Sequence, residues 1–379
     1  DIADRFRLRG IPVIMGGIGA NSVPDYVMPH VDALIKGEAE NTWEQALEDF
    51  QHGKLNSIYE SDKPFDMENM KPARFDLLNK ESYMRTSRAV SKHGSLRLPF
   101  ETSRGCPHNC DFCFVTRYFG RKMRFRPIDE VVDELSHYSG SYVFFVDDNI
   151  CINPDRAKEL FRAMIPLKLR WIGSSHIIAA RDPEMLRLAA AAGCVGLFIG
   201  LESLSAENLA SVNKSFNLKR DVAEQLNAFR DAGINPIPNL VFGFDADTPE
   251  SIYSSFEFMC ELKIKIVYAF LLTPLPGTVL HDRMEEEGRI LHTDYSLYDT
   301  AHVVFEPKLM TPEILQSTYL DAYSKFYSGR SILRRFSDVQ AWLKPSQLRG
   351  RLHCLGGNLF FRNSLKNNIH PLAAGIPKR

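Results

Sequence analysis

Arg104-Gly105-Cys106-Pro107-His108-Asn109-Cys110-Asp111-Phe112-Cys113 is the stretch that fixes what kind of chain this is. Three cysteines fall within eight residues, spaced C-x3-C-x2-C. Thiolate is a soft ligand, so cysteines this dense read as a metal site rather than as core packing. A zinc site of Cys106, His108, Cys110 and Cys113 is one alternative. A tight loop would struggle to aim all four side chains at one small ion, and zinc motifs usually pair two short turns across a longer span. The other cysteines, Cys151, Cys194, Cys260 and Cys354, are scattered in mostly apolar surroundings and read as small buried hydrophobes. An odd, unpaired set of seven fits a reducing cytosol better than a disulfide framework.

Outward from this run, apolar strands alternate with amphipathic helices. Strands are expected at Leu96 to Thr102, Tyr142 to Val146, Leu169 to Ser174, Val195 to Leu201, Pro238 to Phe244 and Ile266 to Leu272. Several helices between them open on a polar cap and then proline: Asn153-Pro154, Asp182-Pro183 and Thr248-Pro249. Two end at glycine, Gly193 and Gly233. Consecutive βα units imply a parallel sheet with right-handed crossovers. They are too few to close an eight-stranded barrel, so a partial, open barrel is expected, with functional groups at the C-terminal ends of its strands. The cysteine run directly follows the first strand and meets that expectation.

The flanks divide the chain further. Residues 1–55 read as the C-terminal part of an α/β domain, with a helix ending at Gly10, a buried strand Ile11 to Met15, a second element at Val31 to Ile35, and a helix from Asn41-Thr42 to Gly53. Residues 56–95 read as a linker, 96–300 as the barrel and 301–379 as a helical, basic extension. Pro312 to Phe326 is expected to be a helix. Residues 330–379 hold ten Lys or Arg and one acid, Asp338; such a tail is expected to be a solvated surface or a packed cover, with nucleic-acid binding the lesser alternative. The chain opens on Asp1 inside a helix-like stretch, and an N-terminal truncation is expected. Overall, 44% hydrophobic and 25% charged residues and a net charge of −1 describe a soluble globular protein with no global attraction to nucleic acid or membrane surfaces. No apolar run approaches the ~20 residues of a membrane helix.

The C-x3-C-x2-C spacing, with Phe112 just before the last cysteine, resembles the signature of the radical S-adenosylmethionine (SAM) enzymes. The resemblance implies a 4Fe–4S cluster on Cys106, Cys110 and Cys113, with its open iron chelated by the amino and carboxylate groups of SAM. It also implies reductive cleavage of SAM to methionine and a 5′-deoxyadenosyl radical. Other residues then acquire expected roles. Phe112 would pack near the adenine, or simply shield the cluster. Asp147 and Asp148, leaving a buried strand together, would hold the ammonium of SAM, orient substrate, or cap the local loop. Glu202 in Gly200-Leu201-Glu202-Ser203 resembles the family's ribose contact. Phe242 and Gly243 close the fifth strand, where glycine lets a flat base approach backbone; a bulge or turn is the alternative. Thr273-Pro274-Leu275-Pro276-Gly277-Thr278 resembles a loop the family carries after its sixth strand, or is a plain turn. Arg117, Arg121, Lys122, Arg124 and Arg126 are five cations within ten residues; a solvated loop is expected, with an anionic substrate as the alternative.

The chain also resembles the cobalamin-binding branch of that family. The matching pieces are Val13-Ile14-Met15-Gly16-Gly17, Val31-Asp32-Ala33-Leu34-Ile35, Gly37-Glu38-Ala39-Glu40 leading to Trp43, and Pro72-Ala73-Arg74-Phe75-Asp76-Leu77-Leu78. The fold implied is a partial (βα)6 TIM-like radical SAM barrel, preceded by the remnant of a Rossmann-like cobalamin-binding domain. Gly16 and Gly17 would admit the corrin at a strand's C-terminal end, or form an ordinary turn. No Asp-x-His-x-x-Gly loop is present to put a histidine on cobalt, and the branch includes members that bind cobalamin without one. Cobalamin is therefore implied for the full-length protein, with weak binding expected of this stretch alone. The implied function is cobalamin-dependent methylation of an unactivated carbon in a small-molecule substrate. A radical cyclisation or oxidation without methyl transfer, or a non-catalytic iron–sulfur carrier, are the alternatives. A cytoplasmic location and a reducing partner such as flavodoxin or ferredoxin complete the expectation.

Overall fold

Two parallel sheets organise the chain in the computed structural model, which describes residues 1–68, 70–79, 97–218, 221–337, 345–367 and 369–372. In the smaller sheet, β1 (Ile14–Met15), β2 (Ala33–Lys36) and β3 (Ile58–Glu60) lie side by side. Ala33, Leu34 and Ile35 are buried because β2 has a neighbour on each side. The expected strand Ile11 to Met15 pairs only over Ile14–Met15 and is half-buried rather than buried, since β1 pairs on one side only. β3 lies inside the stretch expected to be linker. It is three residues long with only Tyr59 buried, too short for alternation to show in sequence. The helix expected from Asn41-Thr42 to Gly53 spans Trp43–Gln51.

The larger sheet begins with β4 (Arg97–Phe100). A short antiparallel ribbon follows, β5 (Ser103–Arg104) against β6 (Arg124–Phe125), and closes the neck of the cysteine loop. The sheet continues with β7 (Tyr142–Phe145), β8 (Arg170–Ser175), β9 (Cys194–Glu202), β10 (Asn235–Phe242) and β11 (Tyr268–Leu271). Its order is β4-β7-β8-β9-β10-β11, every pair parallel and both edges unclosed, which is the expected open six-stranded barrel. β10 starts earlier than expected, through Pro236 and Pro238. Those prolines lie before pairing with β11 begins at Asn239, where β10 has a neighbour on one side only and a missing N–H is tolerated.

The helix starts follow the predicted caps. Asn153, Asp182 and Thr248 each accept a hydrogen bond from the backbone N–H three residues on, with proline in the first turn. Gly193 ends its helix at φ 95°, and a Cβ there would lie 1.9 Å from the Leu169 carbonyl, so only glycine fits. The helix Pro312–Phe326 forms as expected. Its tyrosines cover the outer edge of the sheet: Tyr319 Oη donates to the Ala269 carbonyl, and Tyr327 Oη meets both the carbonyl and the N–H of Val267. Helices Gly329–Arg335 and Pro345–Lys366 pack over this layer. Arg335 is wholly buried, donating to the carbonyls of Ile264, Lys265 and Phe326 and to Asn358 Oδ1. The described part of the basic extension is thus a packed cover. Among the described residues, no helix is long and apolar enough to cross a membrane.

Candidate functional site

The cysteine loop hangs from the β5–β6 ribbon at the C-terminal end of β4. Gly105 makes its first turn at φ 92°, where a Cβ would sit 2.7 Å from the Lys122 carbonyl. Cys106, Cys110 and Cys113 are free and half-buried. Burial pushes all three thiols up, Cys110 to about 12, while the nearby Lys214 ammonium pulls each back. No three His, Cys, Asp or Glu among the described residues converge on one ion. That is compatible with a cluster, whose thiolates each bind a different iron.

Loops from the other strand ends grip the cysteine loop. The Asp111 N–H donates to the Val212 carbonyl, Asn213 Nδ2 donates to the Asn109 carbonyl, and the Leu280 N–H donates to the Asp111 carbonyl. His108 stacks on Phe216 at 4.1 Å and meets His176 edge-on at 4.6 Å. Phe112 contacts Phe244, just beyond β10, at 6.4 Å. A Cβ at Gly277 would touch Phe114 at 3.4 Å, so the Thr273 to Thr278 loop closes the same end. Chain ends after β8, β9, β10 and β11 thus meet over the cysteines.

Glu202 projects from the end of β9 in the left-handed region, φ 64°, beside a register shift between β9 and β10. Strain of this kind persists where surrounding contacts over-determine it. Here the contact is Lys214, whose ammonium donates to Glu202 Oε1 at 2.5 Å and lies 5.6 Å from the Phe112 ring centre. Both side chains are about nine-tenths buried, 11% and 8% exposed. A Cβ on Gly200 would come within 2.8 Å of Glu202 Oε1 and 3.3 Å of Lys214 Nζ, so Gly200 makes room for the pair. Lys214 was not among the expected residues; it follows Glu202 after a short helix and carries no motif.

The two acids after β7 separate. Asp147 is wholly buried and accepts from the Thr102 N–H, Thr102 Oγ1 and Ser103 Oγ, at 3.1, 2.7 and 2.5 Å. It acts as the local cap that ties β7 to the start of the cysteine loop, the last of the three roles expected for it. Asp148 faces that loop, accepts from the Gly105 N–H, and is raised to about 6 by burial and by Asp147. Phe242 is buried in the core. Gly243 has φ 106° and is closed in by Phe305 and Leu315, each 3.0 Å from where a Cβ would lie. Asp247, also not expected, fixes this turn by accepting from the N–H groups of Gly243 and Phe244 at 2.8 and 3.0 Å.

The five cations are not simply a solvated loop. Arg126 pairs with Glu134 at 2.7 Å and Arg124 with Glu38 at 2.7 Å, all of them largely buried, because acids from neighbouring elements neutralise them. In the smaller sheet, Gly16 lies against Ile35, and Gly17 turns at φ 88° with open space around it. Both stand at the C-terminal end of β1, away from the cysteines in sequence and in sheet.

A family model described as the radical SAM superfamily matches residues 100–259, and one described as a domain of unknown function (DUF4070) matches residues 278–367. The bacteriochlorophyllide d C-12(1)-methyltransferase of Chlorobaculum tepidum is 31% identical over 340 residues, 88% of this chain and 73% of that protein. The hopanoid C-2 methylase of Rhodopseudomonas palustris is 26% identical, covering 89% of this chain and 63% of that protein. Among solved structures, the radical SAM methyltransferase TsrM from Kitasatospora setae, with cobalamin and a 4Fe–4S cluster bound, superposes with a TM-score of 0.63 at 18% identity, over 84% of this chain and 66% of that one.

Proposed function

This chain belongs to the radical SAM superfamily, and from that premise we propose that it is of the branch that also binds cobalamin and that the full protein methylates an unactivated carbon of a small-molecule substrate. The observation that carries the proposal is the Cys106, Cys110, Cys113 loop set against the buried Glu202–Lys214 pair at one end of an open barrel. The relatives named above are methyltransferases, and this chain spans between three fifths and three quarters of their lengths.

When bound, the cluster would supply the electron that cleaves SAM to methionine and a 5′-deoxyadenosyl radical, and methylcobalamin would supply the methyl group. The protein's part is to hold and orient. Cys106, Cys110 and Cys113 ligate three irons. Glu202 accepts hydrogen bonds from the ribose hydroxyls, and Lys214 meets the carboxylate of SAM. Asp148, facing the loop beside the cysteines, is placed for the ammonium. Phe112 and the backbone at Gly243 flank the adenine. Gly16 and Gly17 admit the corrin. Electrons come from a small reducing protein such as a flavodoxin or ferredoxin in the cytoplasm.

The test uses SAM carrying a deuterated methyl group with the reduced, cobalamin-loaded protein. Methyl transfer requires S-adenosylhomocysteine to form alongside 5′-deoxyadenosine, with the label on cobalamin. Deoxyadenosine alone would leave radical chemistry without methylation.

A further inference from the structure

The Gly37-Glu38-Ala39-Glu40 turn has no part in the chemistry above, yet it makes a dense ionic contact between the smaller sheet and the β5–β6 ribbon. Arg104 and Arg124 are directly paired across the β5–β6 ribbon. Like charges in that position repel, unless a carboxylate stands between them. Glu38 does so. Its Oε1 accepts from Arg104 at 2.8 Å and Arg124 at 2.9 Å, and its Oε2 accepts from Arg124 at 2.7 Å. Glu40 accepts from Arg104 at 2.6 Å, and Glu101 takes the remaining face of that guanidinium. Tyr118, inside the cysteine loop, donates to the Gly37 carbonyl at 2.6 Å. The side chains of Arg104 and Glu38 are 9% and 5% exposed.

The same turn is tied backward to the glycine loop. Asn21 Nδ2 donates to the carbonyls of Gly17 and Ile35 at 2.9 and 3.1 Å, and Asn21 Oδ1 accepts from the Gly37 N–H at 2.8 Å. An unbroken set of short polar contacts therefore runs from Gly17 through Asn21, Gly37 and Glu38 to the two arginines at the neck of the cysteine loop.

We infer that the Gly37–Glu40 turn is a positioning joint that holds the Gly16–Gly17 loop and the cysteine loop in one fixed relation, with Glu38 as its keystone and Asn21 as its second tie. Resting on the proposed function, the two loops carry cobalamin and the cluster, and presenting both to one substrate depends on their relative placement. The acids of the turn bind the two arginines of the β5–β6 ribbon. An apolar or amide residue at Glu38 would leave two opposed guanidinium groups without the negative charge they share.

The test is pulsed dipolar electron paramagnetic resonance on the full protein, between cob(II)alamin and the reduced cluster. Wild type is expected to give one narrow distance distribution. Glu38→Gln and the milder Asn21→Ala are expected to lose it to a broad one, with iron and corrin content unchanged. Arg74→Gln, which removes an exposed ion pair elsewhere, leaves it narrow. An identical narrow distribution in all variants overturns the joint. If wild type takes up no cobalamin, the methylation proposal fails separately, and hydrogen–deuterium exchange decides the joint. Faster exchange at both residues 105–123 and 15–22 in Glu38→Gln supports it; a change confined to 105–123 overturns it.

Discussion

Glu202, Lys214 and Gly200 form the most constrained unit of the site. A buried ion pair contributes little net stability, but removing one partner strands the other. Glu202→Gln should therefore weaken SAM binding by about 1–3 kcal/mol, the cost of a lost hydrogen bond to a charged group, while leaving the iron content unchanged. Gly200→Ala should weaken SAM binding as well, because its methyl group displaces the pair it now accommodates. Titration calorimetry on reconstituted protein checks both; unchanged affinity removes Glu202 from the SAM site. Glu202 was legible in sequence because a carboxylate ending an apolar run is hard to place on a solvent face. Lys214 was not, because it lies in the polar run Asn213-Lys214-Ser215, where a buried lysine has no local signature and only the fold brings it to Glu202.

At the scale of elements, the end of β10 depends on Asp247. Burial holds its carboxyl up at about 6 despite the hydrogen bonds of Gly243, Phe244 and Asn208. An acid whose folded pKa lies above its unfolded value binds more protons when folded, so its contribution to stability falls as pH rises from about 4 to about 6. The loss is about 3 kcal/mol across that window, at roughly 1.4 kcal/mol per pH unit. Asp247→Asn lacks this dependence. The stability of wild type relative to the variant should fall by about that amount between pH 4 and 7, measured by denaturant unfolding. A constant difference would contradict the assignment. The six barrel strands were legible from their apolar runs, and three of the helices between them from a polar cap followed by proline. β3 and the β5–β6 ribbon were not, since strands of two or three residues hold no period and form only where another segment presents an edge.

Across the whole molecule, the described part of the C-terminal extension packs on the open edge of the barrel. Its tyrosines satisfy the free edge of β11, which would otherwise present unpaired backbone groups. Tyr327→Phe removes the hydroxyl partner of the Val267 N–H and carbonyl, and should lower stability by about 1–3 kcal/mol with SAM cleavage intact. Thermal unfolding and deoxyadenosine yield, measured on one preparation, check the two halves. The basic composition of this region concealed that role: charge counts do not show that an arginine such as Arg335 is buried on carbonyl groups.

The central claim is that three cysteines on one loop hold a cluster that cleaves SAM. Its most direct test is the yield of 5′-deoxyadenosine from anaerobically reconstituted, reduced protein, in wild type and in single alanine variants of all seven cysteines. Product is expected from wild type and from the Cys151, Cys194, Cys260 and Cys354 variants, and none from Cys106→Ala, Cys110→Ala or Cys113→Ala. Product surviving loss of any of those three, or a wild type that binds iron yet leaves SAM whole, would contradict it.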